Sequence, residues 1–271
     1  MRSLLLRAKR RDPAPSAPPP DARLCVHGLF RSGTNFFRAL VETNLDCKVE
    51  YDDFGWKHAF FPIATGSSRI RLPQTRSVLV TKNPLAALES LYRYASGNPR
   101  NVRCEHGPGL SGFLRAPILV FDGSNPASVE YRFRSPVDYW NAMNWNLFSL
   151  VRKSDRALHV RYEDLVAGPE ASLDRVAAAF GLGRRAGAAA GAVVVPERRM
   201  RNLGSGQHDA DKFYGRESYD RSGFLAAGYA AAFGPDDLAY LDAELCWPLV
   251  EDLGYAEACR TMIDGVPAGD G

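Results

Sequence analysis

The residues with the clearest chemical pattern form a short stretch that begins at Gly28. It holds one cation and four small residues that can offer hydrogen bonds or backbone N–H groups, namely Arg31, Ser32, Gly33, Thr34 and Asn35. Glycines in a turn let backbone N–H groups approach an anion closely, and a nearby cation neutralises its charge. The pattern therefore predicts a site for a phosphate-bearing ligand, although glycines also serve turns that bind nothing.

A strand and a helix must flank this stretch if its N–H groups are to point at a ligand. The residues from Leu24 to His27 predict a short apolar strand before it. Apolar residues then recur at helical spacing, at Phe36, Phe37, Leu40, Val41 and Leu45. The first helix is therefore expected to follow the turn directly and to cover one face of a sheet.

The spacing of Gly28 and Gly33 matches the nucleotide-binding P-loop, but the two residues that follow do not. Thr34 stands where the phosphate-neutralising lysine belongs, and Asn35 stands where the magnesium-binding hydroxyl belongs. This argues against magnesium-dependent hydrolysis of a nucleoside triphosphate. A P-loop kinase or nucleotide phosphotransferase stays open as an alternative, with both groups supplied from elsewhere, as does a non-catalytic nucleotide-binding protein.

Two further groups of residues follow predicted strands. Residues 76–81 predict a strand that ends at Lys82, and Asn83-Pro84 then opens a helix with Ser90 eight positions after the lysine. Residues 157–165 predict another strand, which contains Tyr162. A helix follows it and is expected to stop at Gly181.

A fourth segment, residues 52–62, follows a candidate strand at 47–51 and combines charged and aromatic side chains around Lys57 and His58. Sites in doubly wound sheets lie outside the carboxyl ends of the strands, where this segment is expected to fall. An unperturbed histidine has a pKa of about 6.5, which leaves a neutral imidazole available near pH 7. His58 is therefore a candidate general base, and a packed histidine among aromatics is the alternative.

Three of these groups resemble, in the same order along the chain, the motifs of the P-loop sulfotransferases: the stretch from Arg31, the pair Lys82 and Ser90, and the strand with Tyr162. These enzymes take a sulfonate group from 3′-phosphoadenosine 5′-phosphosulfate (PAPS). The Arg31-Ser-Gly-Thr run resembles their 5′-phosphosulfate loop, and Lys82 with Ser90 resembles their 3′-phosphate pair. Tyr162 matches the tyrosine that lies beside the adenosine. The resemblance spans residues 23–182 and implies an α/β fold with a central parallel sheet flanked by helices, PAPS as the donor and no metal.

The resemblance also implies roles for individual residues. The expected PAPS-binding residues are Arg31, Ser32, Gly33, Thr34, Asn35, Lys82, Ser90 and Tyr162. His58 is the expected base, while Lys57 and Arg31 would steady the sulfonate and the leaving 5′-phosphate. Two departures are a lysine at position 82, where the family more often has arginine, and the adjacency of Lys57 and His58. Rival bases are Glu50, Asp52 and Asp53.

Other parts of the chain are expected to complete the site. The family closes a basic segment over the 3′-phosphate, for which the candidates are Arg198, Arg199, Arg201, Lys212, Arg216 and Arg221. Residues 96–134 show little periodicity and predict a long loop that forms part of the acceptor site. The acceptor is expected to be a small molecule, a lipid or a carbohydrate.

Composition limits the remaining possibilities. A chain of 271 residues with 45% hydrophobic residues is typical of one large globular domain, assigned to residues 23–271. The net charge of +3 is accounted for by residues 1–22, a basic, proline-rich leader that is expected to be disordered, so a nucleic-acid partner is not indicated. The leader could make weak contact with a membrane surface. Five scattered cysteines and the absence of a signal-like or membrane-spanning run favour a cytoplasmic protein.

Overall fold

The computed structural model describes residues 22–51, 56–60, 75–97, 101–123, 125, 127–185, 193–196, 198–200, 214–218 and 221–265, with the backbone alone for 198–200 and 214–218. The predicted leader, apart from Ala22, lies outside the described residues. So do the rival bases Asp52 and Asp53, the basic residues Arg201 and Lys212, and the side chains of Arg198, Arg199 and Arg216.

The strands are β1 (Arg23–His27), β2 (Lys48–Glu50), β3 (Arg76–Thr81), β4 (Val102–Cys104), β5 (Ile118–Val120), β6 (Tyr131–Phe133), β7 (Ala157–Arg161), β8 (Arg198–Met200) and β9 (Tyr214–Ser218). The helices are α1 (Thr34–Asn44), α2 (Pro84–Gly97), α3 (Gly109–Arg115), α4 (Pro136–Lys153), α5 (Tyr162–Ala167), α6 (Pro169–Phe180), α7 (Arg221–Leu225), α8 (Pro235–Glu244), α9 (Trp247–Asp252) and α10 (Ala256–Asp264). A 3-10 helix occupies Gly228–Ala232.

The central sheet has four parallel strands in the order β2-β1-β3-β7. Strands that are covered on both faces are apolar on both faces, and β3 accordingly buries every residue after its first. The predicted α/β fold with a central parallel sheet flanked by helices is therefore confirmed. All four strands end at the same edge of the sheet, so the segments that follow them meet there.

The core consists of two hydrophobic clusters, one on each face of the central sheet. On one face, Leu24, Val26, Val78 and Val80 pack with α1, α5 and α6. On the other, Leu79 packs with α2, α3, α4 and the helices after Phe233. Alternation along the strands sends successive side chains to opposite faces, which explains why neighbouring residues of β3 belong to different clusters.

The prediction of a long loop at residues 96–134 is wrong. The segment contains α3 and an antiparallel sheet in the order β4-β5-β6. Each of these strands has three residues, which is too short for an alternating pattern to stand out from the sequence. The helix after it, α4, begins at Pro136, and Ser135 Oγ accepts a hydrogen bond of 3.1 Å from Asp138 N as the N-cap.

The strand predicted at residues 157–165 ends earlier, at Arg161, and Tyr162 begins α5. Glu163 and Asp164 lie in the first turn of this helix, where acidic side chains are favoured by the helix dipole. The following helix ends as predicted, with Gly181 at φ 61°.

Helix α8 ends at Glu244, and Pro248 lies in the first turn of α9, where the absence of its N–H costs nothing. None of the described helices is long and apolar enough to span a bilayer.

Candidate functional site

The three groups of predicted ligand-binding residues meet at the carboxyl edge of the central sheet. Arg31, in the loop between β1 and α1, donates from Nε to Ser90 Oγ of α2 at 3.2 Å. The Lys82 Nζ atom, directly after β3, lies 4.8 Å from the ring centre of Tyr162, which follows β7. Gly33 faces the same ring. Residues separated by up to 131 positions are thus brought into one site.

The loop between β1 and α1 depends on two glycines in different ways. Gly33 has φ 98°, a left-handed conformation that favours glycine, and a Cβ atom there would overlap the Tyr162 ring. Gly28 has no room for a side chain, since a Cβ atom there would overlap Ser32 Oγ and lie 2.5 Å from Val80 O. The loop therefore packs directly on its neighbours, with Arg31 also left-handed at φ 70°.

Two polar side chains at this edge lack a hydrogen-bond or ion-pair partner among the described residues. Ser32 Oγ is fully buried and has no hydrogen bond there. The Lys82 side chain is 8% exposed, and its Nζ faces the rings of Tyr162 and Phe224, each at 4.8 Å, without a hydrogen-bond acceptor or ion-pair partner in the described part of the chain. Buried polar groups are normally hydrogen-bonded, so these two atoms are suited to an anionic ligand.

Burial lowers the pKa of Lys82 to about 8, because desolvation disfavours the charged form. Glu163 opposes this shift by attraction, while Arg31 reinforces it by repulsion. The Lys82 carbonyl accepts a hydrogen bond of 3.3 Å from Trp140 Nε1. An anion bound at Nζ would stabilise the protonated form and raise this pKa.

Lys57 and His58 lie against the loop between β1 and α1. Gly28 N donates to Lys57 O at 3.1 Å, and His58 Nδ1 lies 2.6 Å from Gly28 O. A carbonyl can only accept, so Nδ1 carries the proton and the lone pair is on Nε2. The histidine ring is 6% exposed and stacks on Phe30 with centroids 4.1 Å apart.

The pKa of His58 lies well below its ordinary value, chiefly because burial disfavours the imidazolium and also because Lys57 repels it. The ordinary histidine pKa assumed from the sequence is therefore wrong for this side chain. Because its pKa is lower than that of an ordinary histidine, the imidazole is neutral at pH 7 by a wider margin than expected.

The Lys57 ammonium is held by two side chains. Its Nζ donates to Asn35 Oδ1 at 2.7 Å and lies 3.6 Å from the centre of the Tyr51 ring. Tyr51 OH donates to the same Asn35 oxygen at 2.9 Å. Desolvation, with repulsion from Arg38, lowers the pKa of Lys57 to about 7. Asn35, expected to bind the donor, thus links Lys57 to the first turn of α1.

The remaining candidates are placed as follows. Thr34 is buried at the start of α1, and Ser90 is buried in α2. Glu50, a rival base, lies in β2 with Oε1 3.9 Å from Arg23 Nη1. Arg221 begins α7, and its buried Nε has no hydrogen-bond partner among the described residues.

Sequence reasoning missed residues from distant parts of the chain. Phe224, in α7, packs at 4.8 Å on Tyr162 as well as facing Lys82. Tyr255, which precedes α10, donates to Glu163 Oε2 at 3.0 Å. Neither belongs to a motif, so a pattern of the kind used above could not have found them.

Comparisons with protein-family models, with curated proteins and with solved structures gave no match for this chain. Among the described residues, no group of three or more His, Cys, Asp or Glu side chains is arranged to hold a metal ion. The functional assignment therefore depends on the residues of the site itself.

Proposed function

We propose that the protein transfers a sulfonate group from PAPS to a hydroxyl or amine of an acceptor. The observation that carries the proposal is the convergence of Arg31, Ser32, Lys82 and Ser90 at one edge of the sheet. Within the described residues, the near-buried Lys82 ammonium and the buried Ser32 hydroxyl have no acceptor or donor of their own. A ligand with two phosphate-like groups supplies partners for both ends of this constellation.

Within this proposal, each cation has a separate subsite. Arg31 and the N–H groups of the loop after β1 bind the 5′-phosphosulfate, and Lys82 with Ser90 binds the 3′-phosphate. Arg31 Nε is 3.2 Å from Ser90 Oγ, so the two subsites adjoin. Tyr162, which packs on Gly33 and faces Lys82, lies between them and offers a ring face to the adenosine.

The reaction is an in-line displacement at sulfur. The bond between sulfur and the bridging oxygen of the 5′-phosphate breaks as the acceptor's oxygen or nitrogen bonds to sulfur, and the acceptor's proton passes to His58 Nε2. Lys57 and Arg31 stabilise the charge that develops on the sulfonate and the leaving phosphate. Catalysis of this type depends on positioning and fixed charges, by analogy with phosphoryl transfer.

We also propose a fold type, an acceptor class and a cellular location for the protein. The sheet belongs, in this view, to the P-loop sulfotransferase type. The acceptor is a small molecule, a lipid or a carbohydrate and not a nucleic acid, and the protein acts in the cytoplasm. No metal takes part, because the side chain at the magnesium position is Asn35, whose oxygen accepts from Lys57.

Ligand binding tests the donor site without knowledge of the acceptor. Adenosine 3′,5′-bisphosphate, the product left by the donor, should bind in the presence of a chelator. At about 100 times its Kd it should raise the free energy of unfolding by about 2.7 kcal/mol, measured by thermal or urea unfolding. Protection only in the presence of magnesium would favour the kinase alternative and contradict the proposal.

Turnover tests the chemistry. Sulfur-35-labelled PAPS should pass label to one class in a panel of phenols, sugars, lipids and peptides, with the bisphosphate formed in equal amount. Binding of the bisphosphate without transfer to any acceptor, and without slow hydrolysis of PAPS, would instead indicate a nucleotide-binding protein.

A further inference from the structure

A chain of hydrogen bonds runs behind the Lys82 turn. Glu163 Oε1 accepts from Asn83 N at 2.9 Å, and Glu163 Oε2 accepts from Tyr255 OH at 3.0 Å. The Tyr255 oxygen also lies 2.8 Å from Thr81 Oγ1, which lies 2.7 Å from His159 Nε2. The last residue of β3 and the turn after it are therefore tied to α5 and to the start of α10.

The direction of these hydrogen bonds is determined by the carboxylate. Because Glu163 can only accept when ionised, Tyr255 OH donates to it, and Thr81 then donates to Tyr255 and accepts from His159 Nε2–H. Burial lowers the pKa of His159 to about 4, so a neutral ring with one N–H fits this arrangement. Each hydroxyl in the chain donates once and accepts once, which makes the chain fully satisfied and rigid.

We propose that Glu163 is a positioning residue that fixes the Lys82–Asn83 backbone and thereby directs the Lys82 ammonium toward its anion. Tyr255 holds the carboxylate in this orientation from the opposite side. The inference rests on the proposed function for the identity of the anion, the 3′-phosphate of the donor. Its structural part, the control of Lys82 by Glu163, does not depend on a nucleotide.

A carboxylate beside a buried ammonium usually both balances its charge and binds it directly. Glu163 does only the first for Lys82. Glu163 and Lys82 attract each other, yet the ion pairs within 4 Å among the described residues do not include this pair. Both oxygens of Glu163 are occupied by Asn83 and Tyr255, while the Lys82 Nζ faces two aromatic rings. The carboxylate therefore offsets the charge of a nearly buried ammonium without occupying the position that an anionic ligand needs.

Matched substitutions distinguish positioning from general support of the fold. Glu163→Ala leaves Asn83 N without its acceptor, whereas Glu163→Gln keeps an acceptor of the same length and removes the charge. Tyr255→Phe removes only the hydroxyl that holds the carboxylate. Asp164→Asn is the control, because it makes the same change of charge at the next residue of α5, where the carboxylate pairs with Arg161.

A spectroscopic experiment follows Lys82 in the protein without nucleotide. The chain has six lysines, so carbon-13 reductive methylation gives a small set of signals, and Lys82→Arg assigns the one from Lys82. The two rings beneath Nζ should shift this signal from the position of a solvated lysine. Glu163→Ala should move it toward that position, Tyr255→Phe should move it less, and Glu163→Gln and Asp164→Asn should leave it near wild type.

Titration of the same signals with pH measures how strongly the charge of Glu163 affects the pKa of Lys82. Four charged side chains act on the pKa of Lys82: Glu163 and Glu89 raise it, and Arg31 and Arg93 lower it. Loss of the Glu163 charge in the Gln and Ala variants should lower the titration midpoint of Lys82, and Asp164→Asn should not. A Lys82 signal and midpoint that are the same in the wild type and in every Glu163 variant would overturn the inference. If Glu163→Ala does not fold, the Gln and Tyr255→Phe variants decide it.

Calorimetry then connects the positioning role with the ligand. Glu163→Ala should lower the affinity for adenosine 3′,5′-bisphosphate by about 10-fold or more, because a buried hydrogen bond is lost. It should lower the affinity for adenosine 5′-monophosphate by less than about 2-fold. Glu163→Gln should recover most of the loss. Equal weakening of both ligands would overturn the inference. If wild-type protein binds neither ligand, the proposed function fails, and the lysine signals still decide whether Glu163 controls Lys82.

Discussion

The loop after β1 and the turn after β3 lie at the same edge of the sheet, but they are held in place by different means. The loop depends on its own backbone, with left-handed residues at Arg31 and Gly33 and with no room for a side chain at Gly28. The turn has no left-handed residue. It is held by side chains, since Asn83 Oδ1 accepts from Leu85 N and Glu163 accepts from Asn83 N.

This difference matches the groups that each segment carries. The loop contacts the Lys57–His58 segment through both polar groups of the Gly28 backbone, so the candidate catalytic side chains are attached to the strained segment. The turn carries Lys82, whose proposed task is to bind. We therefore expect changes around the loop to affect turnover and folding, and changes around the turn to affect affinity.

The largest expected effect is on turnover at the loop. His58→Ala should lower kcat by about 10²- to 10⁴-fold, because a general base is lost, while the bisphosphate affinity changes little. The base must be deprotonated, and its pKa is well below 6.5, so wild-type activity should fall only when the pH drops to that lower pKa. Steady-state kinetics across pH would measure both.

The control for this change is His106→Ala, which removes a histidine that packs on Tyr92 and Phe113, whereas His58 packs on Phe30 and Trp56. It should lower kcat far less than His58→Ala does, because His106 is not assigned a role in proton transfer. Near-normal turnover in His58→Ala would mean that the base is one of the rival carboxylates and that His58 serves packing.

The next effect is on folding. Gly33→Ala should lower the free energy of unfolding by about 3 kcal/mol or more, since it combines a left-handed backbone with overlap of the Tyr162 ring. Gly109→Ala isolates the cost of the left-handed backbone, because Gly109 has φ 76° and, apart from its chain neighbours and its own helix, no atom of the described residues lies within 4 Å of the Cβ position. It should cost about 1 kcal/mol. Urea unfolding that gave equal losses for the two variants would show that the loop is not packed as described.

A smaller effect is expected on affinity at the turn. Lys82→Ala should weaken the binding of adenosine 3′,5′-bisphosphate by about 1.5–3 kcal/mol, because a charge-assisted contact is lost. Ligands with a 5′ group alone, such as adenosine 5′-phosphosulfate, should bind nearly as before. Lys153→Ala, at the exposed end of α4, is the matched control for the charge. Calorimetry that showed both ligands weakened equally would place Lys82 outside the 3′-phosphate subsite.

The smallest effect concerns pH on the alkaline side. If Lys57 acts as a cation, activity should fall as the pH rises through the pKa of about 7, reaching about a tenth one unit above it. Lys57→Arg should remove this fall, since arginine stays protonated throughout the range. An unchanged alkaline limb in the arginine variant would assign the limb to another group.

The sequence was informative where structure depends on neighbours along the chain. The glycine spacing predicted the turn into α1, and the run at 76–81 predicted β3. The resemblance implied that Lys82 and Ser90 share a phosphate subsite; in the structure Ser90 contacts Arg31, and the shared subsite stays a prediction. The binding and catalytic roles of these residues stay predictions.

The sequence was uninformative where structure depends on distant contacts. Nothing near Lys82 indicated that Glu163 and Tyr255 lie behind it, because those contacts form only when β7 and the C-terminal helices pack. The lowered pKa of His58 was hidden for the same reason, since it follows from burial against Phe30 and not from residue type. The strands β4 to β6 escaped notice because three residues carry too little pattern.

The hydrogen bond between Thr81 and Tyr255, across 174 positions, also affects the order in which the edge of the sheet can be completed during synthesis. On the ribosome, β1, α1 and β3 emerge early, and the loop can be completed once Tyr162, on which Gly33 packs, has been added. The turn must wait until Tyr255 has been added, because contacts so distant in sequence form late. A nascent chain halted before Tyr255 would therefore present an assembled half-site for one phosphate-like group beside a lysine that is not yet oriented.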